Sequence, residues 1–95
     1  MELEFAGVIW EWRGPAPYHF VSVPEDECDQ LAETAAAVTY GWGMIPVAVQ
    51  VGATRWTTSL WPKDGGYVVP LKDKVRRAEE LELGQEIRVR LTVDV

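Results

Sequence analysis

Residues 86–95 alternate without a break. Ile87, Val89, Leu91, Val93 and Val95 point one way, and Glu86, Arg88, Arg90, Thr92 and Asp94 point the other. A period of two residues marks a strand that lays one face on a core. The same period recurs along the chain in short runs separated by glycine and proline. Over 2–12, Leu3, Phe5, Gly7 and Ile9 share a face. The opposite face loses its polar character after Glu4, so both sides of this strand are expected to be covered near Trp10. Gly7 marks a bulge or a barrel corner. Arg13-Gly14-Pro15-Ala16-Pro17 has little capacity to join a ladder and reads as a loop.

Further strands are predicted over 18–23, 44–51, 54–61 and 67–71. The second is rich in aromatic and β-branched residues, and the third sets Ile45, Val47, Val49 and Val51 on one side. Gly52-Ala53 reads as a tight hairpin turn, and Pro62-Lys63-Asp64-Gly65-Gly66 as another. Pro70 makes 67–71 an edge or a strand end, because proline cannot donate to a ladder.

Two segments change period. Pro24 suits the first turn of a helix, and Glu25, Asp26 and Glu27 follow where the helix dipole favours negative charge. Cys28, Leu31, Ala32 and Ala35 then form one apolar stripe, so a helix is expected over 24–36. A second short helix is expected over 72–79, with Val75 and Ala78 inward and Asp73 paired to Arg77. The total is six strands and two short helices. The predicted fold is mainly β, a small closed or partly open six-stranded β-barrel forming one domain over 1–95. A barrel also removes exposed sheet edges.

Charge narrows the function. Fifteen acids against nine bases give −6, which disfavours nonspecific attachment to nucleic acid or to an anionic membrane. The bases are not evenly spread. Residues 63–77 hold Lys63, Lys72, Lys74, Arg76 and Arg77 against Asp64 and Asp73, so a local anion site is compatible with an acidic chain. Cys28 is the only cysteine, which excludes an intrachain disulfide and fits a reducing cytoplasm. The N-terminal residues do not read as a signal peptide, and no apolar run approaches the roughly 20 residues of a membrane helix.

The run Gly41-Trp42-Gly43, Val47-Ala48-Val49-Gln50-Val51-Gly52, Trp56-Thr57-Thr58-Ser59-Leu60, Pro62, Gly65-Gly66-Tyr67, Pro70-Leu71-Lys72, Val75-Arg76 and Gly84 resembles a bacterial family called domain of unknown function 1905. The likeness covers about residues 3 to 94. It implies a small β-barrel with short helices and implies no activity. A narrower stretch, Pro70 to Val93, is similar to half of an AbrB-type swapped-hairpin barrel, a kind that binds DNA as a dimer.

Catalytic constellations are sparse. The chain has one histidine, His19, and its serines are Ser22 and Ser59, with no Gly-x-Ser-x-Gly elbow. Cys28 falls on the apolar helix stripe, as an inert core thiol does. One Cys and one His are a poor start for zinc, and the acidic run at 25–33 lacks the alternating ligands of a calcium loop. No catalytic residue, metal or cofactor is therefore expected. Gly65-Gly66 matches neither phosphate-binding fingerprint, and Asp64-Gly65 is a common hairpin signal.

The five tryptophans are too many for so small a core, so some should line a groove or an interface. Trp42 sits between two glycines, and Trp61 shares a strand face with Arg55 and Ser59. Lys72 and Arg76 are one helical turn apart and can converge on one anion. The candidate ligand-binding set is Trp42, Arg55, Trp61, Lys72 and Arg76. The leading reading is a non-enzymatic cytoplasmic barrel module, monomeric or homodimeric, that binds a small anionic or aromatic ligand or a protein segment. Nucleic acid and membrane are not expected partners. The alternatives are a dimeric DNA-binding protein of the swapped-hairpin kind and a small enzyme with an unrecognised site.

Overall fold

A computed structural model describes residues 1–14, 18–38 and 43–93, and of the side chains of 34–38 nothing is described. The strands are β1 (Glu2–Val8), β2 (Trp10–Trp12), β3 (Tyr18–Ser22), β4 (Ile45–Val51), β5 (Thr54–Lys63), β6 (Gly66–Leu71) and β7 (Glu86–Thr92). The helices are α1 (Glu25–Val38) and α2 (Asp73–Ala78). The bonded order is β1-β7-β4-β5-β6-β3-β2, antiparallel throughout, and the sheet curls as an open half-barrel.

The six expected strands are seven here. The run 2–12 divides at Ile9, whose N–H donates to Gln85 O and whose carbonyl accepts from Gly84 N. Before Ile9 the chain pairs with β7, and after it with β3. Gly7 sits just ahead of this change of partner. A Cβ there would lie 2.6 Å from Val21 Cγ1 on β3, so glycine is what lets the two strands approach.

The inward faces match the alternation. Val21, Ile45, Val49, Leu60, Val69, Val89 and Leu91 are fully buried in one cluster with Leu31 of α1. Ala32 and Ala78 are exposed, contrary to the expected stripes. Among the described side chains, α1 meets the barrel through Cys28 and Leu31 and α2 through Val75. Asp73 pairs with Arg76 rather than Arg77.

β5 is the hinge of the architecture. Residues 54–60 pair with β4, and residues 61–63 pair with β6. The strand thus runs through Pro62, which the sequence reading assigned to a turn. Val23 N donates to Tyr67 O, so residues 67, 69 and 71 turn their amides toward β3, and 68 and 70 toward β5. Pro70 lies past Val68, the last residue of β6 with a β5 partner in that direction. By the same parity Pro62, opposite Tyr67, faces the side that β4 has left at Leu60. Each proline sits where its missing N–H has no partner strand to serve. At the β5–β6 turn Asp64 and Gly65 have φ of 51° and 82°, the two left-handed positions of a type I′ hairpin.

Between β5 and β6 the sheet therefore splays, and α2, entered directly from β6, covers the gap. Lys72 Nζ donates to Thr57 O at 3.2 Å, and Thr54 Oγ1 donates to Glu79 Oε2 at 2.5 Å.

Candidate functional site

The two outer faces differ in chemistry. On β1 and β7, Glu4 meets both arginines of the clean strand, Arg90 at 3.1 Å and Arg88 at 3.4 Å, and Glu2 lies 4.0 Å from Arg90. These pairs neutralise the bases that alternation placed outward. On the other side, β2, β3 and β5 turn Trp10, Trp12, Tyr18, Phe20 and Trp61 outward. Trp10 opposes Phe20 and Trp12 opposes Tyr18 in the ladder. Trp61 stands edge to face against both Tyr18 and Phe20, with centroids 5.1 and 5.2 Å apart. Phe20 is only 2% exposed although it points away from the barrel interior, because its neighbours' rings roof it. Trp12 and Tyr18 remain 39% and 40% exposed.

Where this aromatic face reaches the splayed gap there is a groove of about 600 Å³. Tyr18 and Trp61 form one wall, and Lys72, Lys74, Arg76 and Arg77 of the α2 segment form the other. His19 and Asp73 also line it. β3 delivers His19 because its register sets that residue opposite Leu71, the last residue of β6, which only the N-cap Lys72 separates from α2. Arg76 is largely covered. It ion-pairs with Asp73, and its Nη1 lies 3.4 Å from His19 Nε2. A guanidinium only donates, so this contact is a hydrogen bond in the tautomer that leaves Nε2 bare. Arg76 Nε is buried with no protein partner among the described residues, and so is Trp56 Nε1 on the inner face of β5. A buried donor without a partner is uncommon.

Of the sequence-predicted set, Trp61, Lys72 and Arg76 meet in this groove. Arg55 lines a different, shallow depression of about 1000 Å³ with Pro46, Ala48, Thr57 and Thr92. Arg55 and Trp61 share a strand face by alternation, but β5 passes from one half of the sheet to the other between them. Trp42 lies outside the described residues. Tyr18, Lys74 and Arg77 were missed. Their signal was present, since Lys74 and Arg77 extend the basic run, but nothing in the sequence joins Tyr18 to it. His19, expected as a packed or surface residue, is half-buried and borders the groove.

The sequence model of a domain of unknown function (DUF1905) matches residues 5–91. The chain belongs to this DUF1905 family. No curated protein matches it. The match covers every strand except the start of β1 and the last residue of β7. Within this DUF1905 domain the groove draws on residues far apart in the matched segment, from Tyr18 to Arg77. No described helix is long and apolar enough to cross a membrane, and no group of three or more His, Cys, Asp or Glu among the described residues is placed to hold a metal ion.

Proposed function

We infer that this DUF1905 domain is a non-enzymatic binding module whose groove takes a small anionic ligand carrying a flat ring. One observation carries the reading: on a chain of net charge −6, four bases against one acid gather beside two partly open aromatic rings. Trp61 and Tyr18 supply stacking surface, while Lys72, Lys74, Arg76 and Arg77 supply charge-assisted hydrogen bonds. A cytoplasmic setting suits the single, buried thiol of Cys28.

The swapped-hairpin DNA-binding reading draws on the same basic helix. It is weakened by β7, the strand such a dimer would exchange, whose two edges are occupied by β1 and β4 of its own chain. The test is native mass spectrometry of gently purified protein beside its Lys74→Glu/Arg77→Glu variant. The expected result is an adduct on the wild type that the variant lacks. An adduct held equally by both proteins, or a bare wild type, refutes the groove as the site.

A further inference from the structure

Resting on that reading, we propose that the groove recognises a nucleotide unit: a base and its sugar joined to a phosphate, presented free or within a single strand. The two walls divide the labour such a ligand requires. Tyr18 and Trp61 offer partly open ring surface, the sequence-tolerant partner of any base. On the facing segment, Lys72 is engaged with Thr57 O and Arg76 with Asp73. Lys74 and Arg77 have no partner among the described residues and are free to meet an anion. Four bases against Asp73 leave an excess of three. A lone carboxylate underuses that excess, whereas a phosphate monoester brings a charge of about −1.5 to −2 and three acceptor oxygens. A volume of about 600 Å³ lies within the usual range for small-molecule sites.

The surface beyond Trp61 repeats the same pairing of ring and cation. A smaller depression of about 210 Å³ shares Trp61 and adds Trp12, Phe20 and Lys63. Lys63 Nζ lies 6.0 Å from the Trp10 ring centroid. A polynucleotide leaving the groove would thus find further rings beside a further cation, one that Asp64 Oδ2 accompanies at 3.7 Å. The acidic total does not forbid this. Glu2 and Glu4 are committed to Arg88 and Arg90 on the other half of the sheet, and charges beyond about 8 Å are screened at physiological salt.

The test titrates the full chain with adenosine monophosphate, adenosine, inorganic phosphate and a short oligothymidylate. Calorimetry gives affinity, and the tryptophan indole N–H resonances report location. Adenosine monophosphate is expected to move the Trp61 indole signal and to bind at least about tenfold tighter than adenosine or phosphate alone. Lys74→Ala/Arg77→Ala, which alters two exposed and unpartnered side chains, should weaken it about tenfold or more. Tighter binding of the oligomer than of the mononucleotide, with a log K against log salt slope about 1.4 shallower in the variant, identifies a strand as the source. The reverse order identifies a free nucleotide. Nucleotide and oligomer binding no tighter than phosphate, or unchanged in the variant, overturns the proposal. If an adduct on the wild type is nonetheless lost from the charge-reversed variant, the groove stands and only the nucleotide assignment falls. Without an adduct both fail.

Discussion

Replacing Gly7 by alanine tests the corner where the first strand changes partner. The new methyl would sit 2.6 Å from Val21 Cγ1, about 1 Å inside ordinary carbon–carbon contact. Val21 is fully buried and cannot move into solvent, and Ser22 O lies 3.6 Å from the same position. Overpacking of this kind costs about 1–3 kcal/mol. Gly7 does not need a left-handed backbone, so alanine recovers about 0.5–1 kcal/mol of strand preference. The difference spans about 0–2.5 kcal/mol, centred on a loss of about 1 kcal/mol. For a domain of this length a loss of about 1 kcal/mol lowers Tm by roughly 4–8 °C. Urea and thermal unfolding followed by tryptophan fluorescence and circular dichroism would measure it. Val21→Ala alone opens a void and also destabilises. In Gly7→Ala/Val21→Ala the added methyl occupies part of that void, so the double variant should lose less than the sum by about 1 kcal/mol. A stabilising Gly7→Ala, or losses that simply add, would show that β1 and β3 do not make this approach.

Two other substitutions separate the outer faces. Phe20→Ala should cost about 3 kcal/mol in urea unfolding, as a core phenylalanine does, although the ring points out of the barrel; a loss below about 1 kcal/mol would mean that the surrounding rings leave it effectively in water. Glu4→Gln removes half-exposed ion pairs to Arg88 and Arg90 and should cost less than about 1 kcal/mol, a difference that shrinks in concentrated salt; a large, salt-independent drop in Tm would contradict that view of the ion-paired β1–β7 face.

The inward set was legible because burial on a strand is local: Leu3, Phe5, Val49, Val89 and Leu91 lie where alternation places them. The hairpin at Asp64-Gly65 was legible for the same reason, since a two-residue turn is decided by its own backbone. Pro62 was not. It reads as part of a turn yet lies inside β5, whereas Pro70, expected at an edge or a strand end, stands one residue before the end of β6; what matters for both is whether a neighbouring strand stands on the side of the missing N–H. That depends on where β4 and β6 stop pairing with β5, a property of two distant segments. The candidate site divides in the same way. Lys72 and Arg76 were found together because one helical turn relates them. Arg55 was linked to Trp61 by a strand periodicity that does not survive the passage of β5 between the halves of the sheet.

Taken alone, the sequence determines where most of the strand residues lie, their inward faces, the helix starts, the two-residue turn at Asp64-Gly65 and the concentration of basic charge at 63–77. These follow from side-chain period and backbone preference within a few residues. Tertiary structure decides which bases remain free. Arg88 and Arg90 are neutralised by Glu2 and Glu4 from the far end of the chain, while Lys74 and Arg77 face a groove instead. It also decides that five aromatic rings gather on an outer face and that Tyr18 and His19 come to stand beside α2. Coulomb attraction and ring packing act through space over a few ångströms, and only the closed path of the chain sets which residues come that near.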